Sequence, residues 1–394
     1  MNSLLLKKGR ERSLKRRHPW IFSGAVEKAG GKPGETLQVR DSSGQPLALA
    51  AYSPNSQIRA RVWTFDAAQS VDRGFFAKRL KQAISLRDHL PVSKHTNAMR
   101  LVHGESDGLP GLVVDRYADV LVAQFLSAGV ERWREEILDL LVELSGCEAV
   151  FERSDAEVRK LEGLEPRTGF ARGNRNASRC PIIEHGLNFR VDVEQGQKTG
   201  FFLDQRENRQ RVRALAAGRE VLDGFCYTGG FAIAALAGGA KHITALESSA
   251  DAIQIAQENL AANPLAAGGI EFVQADVFKH LRLLRDKGGA KYDLIVLDPP
   301  KLAPTAAHAR NAARAYKDVN LLAFKLLAPG GLLATFSCSG GVSAELFQSI
   351  VAGAALDAGA DAKIIERFGA AADHPVALEF PEGEYLKGLL LLKA

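Results

Sequence analysis

The chain has 394 residues, of which 46% are hydrophobic and 25% charged, and its formal net charge is +5. This length predicts two or three domains, each able to bury its own core, and the composition excludes disordered, fibrous and disulfide-stapled proteins. The four cysteines form no CxxC pair, so we predict no metal site and expect a reducing compartment. Because no signal peptide or long apolar run is present, we expect a soluble, cytoplasmic protein without a membrane span.

The charge is unevenly distributed along the chain. The first 70 residues contain 12 Lys/Arg and 5 Asp/Glu, whereas the remainder contains 39 and 41. A basic N-terminal region on a near-neutral body indicates a polyanionic partner, and nucleic acid is the commonest soluble one. A solvated tail rich in Lys and Arg is the alternative. The cations predicted to contact nucleic acid in this region are Arg10, Arg12, Lys15, Arg16 and Arg17.

Residues 20–66 alternate short apolar runs with turns, which predicts a small all-β barrel. In the last predicted strand, residues 58–65, a period of two places Arg59, Arg61 and Trp63 on one face. Cations beside a stacking surface predict contact with nucleic acid. The alternative is that Trp63 packs inward while the arginines are solvated. We assign residues 1–72 to this first domain.

Two further domains follow. A basic helix at residues 75–90, then strands and a helix up to residue 151, predict an α/β domain over residues 73–180. Residues 166–180 are rich in Gly and Arg without apolar periodicity, which predicts an exposed loop or linker. From residue 181 a hairpin leads into the third domain, residues 181–394, where strands and helices alternate. This alternation predicts a parallel sheet that binds its ligands at the carboxyl ends of the strands.

The loop after the first strand of this sheet begins at Asp223 and ends at Gly229 and Gly230. It lacks the GxGxxG pattern of dinucleotide-binding proteins. It resembles instead the Asp-x-Gly-x-Gly-x-Gly loop of class I S-adenosylmethionine-dependent methyltransferases, with Phe225 and Tyr227 in place of two glycines. We expect Asp223, Tyr227 and the two glycines to contact the cofactor, because glycines let a backbone approach a ligand closely.

Two more acids follow the next two strands. Glu247 lies where an acid can accept hydrogen bonds from ribose hydroxyls. Asp276 lies where methyltransferases hold the adenine amino group. For both residues the alternative is a local role at a helix N-terminus. Together with Asp223 they form a constellation that predicts a nucleoside-containing cofactor.

The fourth strand ends in Asp298-Pro299-Pro300-Lys301, where two prolines make a stiff rim whose carbonyls and carboxylate face a planar amino group. This pattern is typical of methyltransferases that act on a nucleobase or amide nitrogen, or on a neighbouring ring atom. The fifth strand runs into Cys338, and neighbouring fourth and fifth strands would bring Cys338 to the same pocket.

Cys338 predicts a particular chemistry. A thiolate, favoured by an adjacent Lys301, is a nucleophile. Carbon C5 of a pyrimidine is a poor nucleophile and is activated when a thiolate adds at C6. A buried apolar role is the alternative for Cys338, and it is our prediction for Cys147, Cys180 and Cys226.

Across nearly its whole length the sequence resembles the large-subunit ribosomal RNA methyltransferase I family. The similar stretches are KGRERSLKRRHPWIFSGAV, YSPNSQIRARVWTFD, GESDGLPGLVVDR, KTGFFLDQR, FCYTGGF, LDPPK, FSCSG and DHPVALEFPEGEYLKG. The resemblance implies an N-terminal PUA barrel, a middle α/β domain and a C-terminal Rossmann-like class I methyltransferase domain. It also implies S-adenosylmethionine as cofactor, a 23S rRNA cytosine C5 as target and Cys338 as nucleophile. The loops at residues 223–230, 247, 276 and 298 would form the cofactor and base pocket, with Asp298 in contact with both.

The fourth-strand motif lacks the extra cysteine of other RNA cytosine-5 methyltransferases and resembles the uracil-5 enzymes. Methylation at a nitrogen or at uracil C5 therefore stays open, as does a non-catalytic RNA-binding assembly factor. Monomer and homodimer are both open as well.

Overall fold

In the computed structural model, which describes residues 2–173, 179–288, 292–302 and 309–394, the N-terminal strands form a six-stranded sheet. Its strand order is β2-β6-β5-β4-β1-β3, in which β1 and β4 are parallel and the other pairs antiparallel. Apolar side chains from these strands enclose a core, as the predicted barrel requires. The elements are β1 (Ser3–Leu6), α1 (Arg12–Lys15), β2 (Trp20–Phe22), β3 (Val26–Ala29), β4 (Thr36–Arg40), β5 (Pro46–Tyr52) and β6 (Ile58–Thr64).

Both faces of β6 are buried, which contradicts the exposed face predicted for Arg59, Arg61 and Trp63. Ala60 and Val62 point into the barrel core. Trp63 is only 2% exposed and packs into the core of the next layer. Arg61 is 5% exposed and donates to the carboxylate of Glu162 at 2.8 Å. Arg59 is half-buried and donates to a backbone carbonyl. The prediction fails because a second layer covers the outer face of the barrel, so Trp63 and Arg61 have no surface on which RNA could stack.

That second layer is a five-stranded sheet of order β11-β10-β9-β8-β7 with helices packed against it. Neighbouring strands are antiparallel except β9 and β10, which are parallel. Its elements are α2 (Arg73–Asp88), β7 (Ala98–His103), β8 (Leu112–Tyr117), β9 (Val120–Phe125), α3 (Ala128–Arg132), α4 (Arg134–Ser145), β10 (Ala149–Ser154), α5 (Val158–Glu162) and β11 (Arg167–Arg172).

Strand β11 lies within the segment that we predicted to be a loop, and that prediction is wrong for residues 167–172. The strand pairs with β10 at the edge of the sheet. Its cations are held by ion pairs, Arg172 with Glu135 and Asp139 and Arg167 with Glu131. Residues 174–178 of the predicted loop lie outside the described residues.

The remaining strands include a seven-stranded sheet of order β16-β15-β14-β17-β18-β20-β19. Neighbours from β16 to β18 are parallel, whereas β20 is antiparallel to both β18 and β19. The chain moves outward from β14 in one direction and then in the other, so a switch point lies between β14 and β17, where such sheets bind ligands.

The elements in this part of the chain are β12 (Arg179–Glu184), β13 (Leu187–Asp192), α6 (Arg206–Leu215), β14 (Glu220–Gly224), α7 (Gly230–Ala237), β15 (His242–Glu247), α8 (Ala250–Ala261), β16 (Ile270–Gln274), α9 (Val277–Lys287), β17 (Tyr292–Leu297), α10 (Ala309–Leu326), β18 (Leu327–Ser337), α11 (Ala344–Ala358), β19 (Ala362–Phe368) and β20 (Lys387–Lys393). Strands β12 and β13 form the predicted hairpin. The alternation of strands and helices in the third predicted domain is therefore confirmed.

The chain divides into two compact units, each built from three segments. The first unit contains Met1–Gly186, Val191–Leu203 and Ala372–Gly383, and the second contains Leu187–Arg190, Asp204–Ala371 and Glu384–Ala394. The division into three domains at residues 72 and 180 stays a prediction. No helix in the described ranges is long and apolar enough to cross a membrane.

A buried polar network ties the late segment Ala372–Gly383 into the first unit. Arg87 holds Asp107 with two hydrogen bonds of 2.7 and 2.8 Å, and Arg100 holds Asp115 with two of 2.6 and 2.9 Å. Asp373 bridges the two arginines, because its carboxylate accepts the Arg100 N–H at 2.9 Å and its carbonyl accepts from Arg87 at 3.0 Å. Buried charges of this kind are stable only when each is paired.

Candidate active site

The loop after β14 adopts the backbone of a glycine-rich loop although two of its glycines are replaced. Phe225, Tyr227 and Gly229 have φ angles of 69°, 48° and 81°, at the alternate positions where the methyltransferase loop has glycine. For non-glycine residues this conformation costs on the order of 1–2 kcal/mol each. Backbone hydrogen bonds hold the loop, since the Phe225 and Cys226 N–H groups both donate to the Leu246 carbonyl at 3.0 Å. Strain maintained in this way is typical of a ligand-binding loop.

Asp223, at the end of β14, has a carboxyl group that is almost fully enclosed. Its side chain is 1% exposed. Within the described ranges neither carboxylate oxygen accepts a well-formed hydrogen bond, and the nearby Ala232 N–H only partly offsets the rise of the pKa. Burial, followed by the charges of Asp298 and Glu247, raises the pKa of Asp223 to about 8. A buried acid without a cationic partner is suited to a positively charged ligand group.

Glu247, at the end of β15, holds the loop that it also borders. One carboxylate oxygen accepts the Ser248 and Ser249 N–H groups at 2.7 and 2.9 Å, and the other accepts the Tyr227 N–H at 3.1 Å. The N-cap of α8 is Ser249, whose hydroxyl accepts from the Ala252 N–H. The side chain of Glu247 is half-buried and faces the loop.

Asp276 and the two glycines have simpler surroundings. Asp276 is exposed and caps α9, accepting the Lys279 N–H at 2.9 Å, so the local alternative is realised at this position. Gly229 is closely packed, since a Cβ there would lie 3.2 Å from Ala256. Gly230 begins α7.

The rim after β17 lies next to the cofactor loop. Its first backbone N–H, at Asp298, approaches the Gly224 carbonyl at 3.4 Å. The Asp298 charge contributes to raising the pKa of both Asp223 and Tyr316. Lys301 is exposed.

Cys338 follows β18, the strand that pairs with β17 in parallel. It is half-exposed, whereas Cys147, Cys180 and Cys226 are buried as predicted. Burial, with the charges of Asp223 and Glu247, raises the pKa of Cys226 well above its usual value. Of the two thiols at strand ends, Cys226 is therefore held as a neutral thiol.

Two residues beside Cys338 escaped the sequence analysis. Tyr316, on α10, is fully buried and its hydroxyl accepts from Ser337 at 2.9 Å and is hydrogen-bonded to Ser339 at 3.0 Å. Lys387, on β20, donates to the carbonyls of Ser339 and Val342 at 2.9 and 2.6 Å. The only sequence signal for Lys387 is a cation at the start of the apolar run 389–392.

The cations predicted to bind RNA differ in their exposure to solvent. Those beside α1 are all exposed to solvent, unlike Arg61. They are Arg10, Arg12, Lys15, Arg16 and Arg17. Their assignment to RNA stays a prediction.

Comparison with known proteins identifies the family. "Ribosomal RNA large subunit methyltransferase I" of Escherichia coli O139:H28 is 49% identical over 387 residues, which cover 98% of each chain. The protein of the same name from Shigella dysenteriae serotype 1 is 49% identical over 98% of this chain and 97% of its own. The chain belongs to the ribosomal RNA large subunit methyltransferase I family. The S-adenosylmethionine-dependent methyltransferase family matches residues 173–377, and a PUA-like domain matches residues 4–65.

Solved structures agree with this fold along the whole chain. A putative SAM-dependent methyltransferase from Streptococcus mutans superposes with a TM-score of 0.86 at 21% identity and covers 100% of both chains. SMU.776, a putative methyltransferase complexed with SAH, gives a TM-score of 0.87 at 22% identity, again with 100% of both chains covered. These structures confirm the predicted fold class, and the family match over residues 173–377 confirms the S-adenosylmethionine dependence.

The residues of the cofactor loop fit S-adenosylmethionine. The cofactor carries a positive sulfonium and an ammonium group, and the unpaired, buried carboxyl of Asp223 is suited to such charges. Gly229 is closely packed against the protein itself, since a Cβ there would lie 3.2 Å from Ala256 and 3.3 Å from Ile233. When bound, the cofactor supplies an electrophilic methyl group.

Proposed function

We propose that the protein methylates carbon C5 of a cytosine in 23S rRNA, in the cytoplasm, with Cys338 as the nucleophile. The observation that carries the proposal is the position of Cys338, a half-exposed thiol at the end of β18 beside the rim of β17. The family relationship supports a large-subunit rRNA substrate, since relatives with 49% identity carry that substrate in their names.

The chemistry requires a thiolate at this place. The Cys338 sulfur forms a bond to C6 of the base, and the electron pair of the C5=C6 double bond moves so that C5 becomes nucleophilic. After C5 has gained its methyl group, the C5 proton leaves to a base and the S–C6 bond breaks. This elimination restores the double bond and releases the thiolate, so the cysteine returns to the state in which it began the cycle.

The surrounding residues bind and orient the reactants. Asp298, with the carbonyls of Pro299 and Pro300, holds the amino edge of the flipped-out base. Lys301 lies on the same rim and favours negative charge on Cys338. On the donor side, Asp223, Tyr227 and Gly229 hold the cofactor in the loop after β14.

The other predicted cofactor contacts have roles compatible with their local hydrogen bonds. A carboxylate has about four acceptor positions, so Glu247 is able to bind ribose hydroxyls while it holds the loop. Asp276 uses one oxygen as a helix cap and leaves its second oxygen to meet the adenine amino group. Gly230 begins the helix whose N-terminal N–H groups follow the loop.

The basic N-terminal region anchors the RNA. Its exposed cations beside α1, together with the half-buried Arg59, neutralise phosphates and so make the affinity dependent on salt. Arg61 and Trp63 are excluded from this role by their burial.

The test uses rRNA with 5-fluorocytosine at the target position. Fluorine at C5 blocks the elimination, so enzyme and RNA should remain covalently joined. We expect Cys338→Ala to lose the adduct and turnover, and Cys226→Ala to retain both. An adduct that persists in Cys338→Ala and vanishes in Cys226→Ala would assign the role to Cys226.

Nitrogen methylation is the second candidate, because the Asp-Pro-Pro-Lys rim also fits an exocyclic amine. Digestion of ordinary RNA after reaction with labelled cofactor identifies the labelled nucleoside. No adduct in any variant, together with full activity and a label on nitrogen, would replace the C5 proposal. A label on uracil C5 would correct the base, and absence of any label in the presence of bound cofactor would favour an assembly factor.

A further inference from the structure

Lys387 contacts the residues that precede and follow Cys338 in the sequence. It is the first residue of β20 and pairs in register with Ser337, the residue before Cys338. Its ammonium donates at 2.9 Å to the carbonyl of Ser339, the residue after Cys338, and at 2.6 Å to that of Val342. Lys387 therefore contacts this segment on both sides of the thiol, through its backbone at Ser337 and through its ammonium at Ser339.

The segment is held from its other side by Tyr316. The Tyr316 hydroxyl links the hydroxyls of Ser337 and Ser339, again the residues on either side of Cys338. Lys387 and Tyr316 thus fix the backbone around the thiol, but only Lys387 brings a positive charge. A positive charge beside a thiol favours the ionised form of that thiol.

The charges around the segment come from four elements. Lys387 interacts electrostatically with Cys338, with Glu384 just before β20 and with Lys301 after β17. Tyr316 on α10 interacts with both Cys338 and Asp298. Desolvation of the half-buried ammonium lowers the pKa of Lys387, and the Cys338 thiolate opposes this effect. An ammonium that has lost part of its water interacts more strongly with a nearby anion than an exposed one does.

We propose that Lys387 is a positioning residue for this reaction: its ammonium clamps the backbone around Cys338 and supplies the positive charge that favours the thiolate. The thiol proton leaves to solvent, and no redox partner is needed. Lys301 was the cation expected in this role from the sequence. It is exposed, so water screens its charge more than that of the half-buried Lys387, and its contribution is the smaller of the two. The use of the thiolate rests on the proposed function, whereas the effect of Lys387 on the thiol does not.

Lys393 provides a matched control on the same strand. Its ammonium also donates to two backbone carbonyls, those of Phe324 and Leu327, both at 2.7 Å. It lies at the other end of β20, six residues from Lys387. Replacement of either lysine removes one clamp and one charge, but only Lys387 is beside Cys338.

The test measures the alkylation of Cys338 by iodoacetamide between pH 6 and pH 10, quantified on the peptide that contains it. In Lys387→Met we expect the midpoint of the rate profile to rise by about one pH unit, so that alkylation at pH 7 slows about tenfold. Lys387→Arg should keep a midpoint near that of the unmodified protein. Lys393→Met should leave the midpoint unchanged, whatever it does to thermal stability.

Lys387→Gln decides the matter if the methionine variant does not fold, because its amide keeps N–H donors but carries no charge. A folded Lys387→Gln protein with an unchanged midpoint would overturn the proposal, as would an equal shift in Lys393→Met. A shifted midpoint without any RNA adduct would instead remove the proposed function and leave the effect of Lys387 on the thiol standing.

Discussion

Asp223 should lose a proton when the cofactor binds. In the free protein its pKa is about 8, so at pH 7 roughly nine-tenths of the molecules carry a protonated carboxyl. The positive groups of S-adenosylmethionine favour the ionised form and lower this pKa in the complex. Binding at pH 6 to 7 should therefore release close to one proton per molecule.

The sign of the pH dependence follows from this release. At higher pH a smaller fraction of the Asp223 carboxyl carries the proton that cofactor binding must expel. The affinity for S-adenosylmethionine should therefore increase by about tenfold per pH unit between pH 5.5 and pH 7. The slope should flatten as the pH approaches 8, where the free carboxyl ionises unaided. Between pH 5.5 and pH 7 the ammonium group of the cofactor stays charged, so the change of affinity with pH is due to a group of the protein.

Calorimetric titration in two buffers of different ionisation enthalpy measures the proton directly. Asp223→Asn keeps the shape of the side chain and should abolish both proton release and slope, with weaker binding at pH 7. The same group affects folding: a raised carboxyl pKa means that stability is lost as the pH rises from about 4 to about 8, on the order of 5 kcal/mol in total. A pH-independent affinity in the unmodified protein, or an equal slope in Asp223→Asn, would refute this account.

Three further predictions concern packing and RNA. Gly229→Val, which introduces a branched side chain at a φ of 81°, should abolish the increase in melting temperature caused by S-adenosylmethionine, and a preserved increase would contradict our assignment of the loop. Gly129→Ala should lower the free energy of unfolding in urea by about 1–3 kcal/mol, because its Cβ would lie 2.8 Å from the Trp63 ring; unchanged stability would contradict the inward position of that ring. Arg16→Gln and Arg17→Gln should each reduce the slope of log affinity for RNA against log salt by about one if they contact phosphates, and an unchanged slope would identify them as merely solvated.

The parallel sheet was the most predictable part of the fold. The alternation of strands and helices predicted from residue 181 onward agrees with the structure. Buried parallel strands are short apolar runs, and Ser343 marks the start of α11 by accepting the Leu346 N–H. Once the order of the strands is known, their carboxyl ends bring Asp223, Asp298 and the Cys338 segment to one edge.

The sequence-based predictions were wrong for strands whose surroundings depend on other parts of the chain. Alternation along β6 showed that its two faces differ, but it could not show that a second layer covers the face of Trp63. Strand β11 has little apolar character. It is stabilised at the edge of the sheet by ion pairs of Arg167 and Arg172. Neither feature has a local sequence signal.

Lys387 was missed for a topological reason. The sequence analysis searched the residues that follow each parallel strand. Strand β20 is antiparallel to β18, so its first residue lies at the edge where the parallel strands end. A cation at the start of an antiparallel strand is therefore as close to the reaction as a residue after a parallel one.

The buried network around Asp373 imposes an order on biosynthesis. The hydrogen-bond acceptor of the Arg100 N–H is the carboxylate of Asp373, which lies 273 positions later in the chain. At about 5–20 residues per second, the ribosome takes tens of seconds to make that interval. During this time the first unit lacks its third segment, Ala372–Gly383, and both arginines lack one acceptor. The N-terminal layers therefore reach their final packing only when translation is nearly complete, and a nascent chain that stops before residue 373 leaves them unfinished.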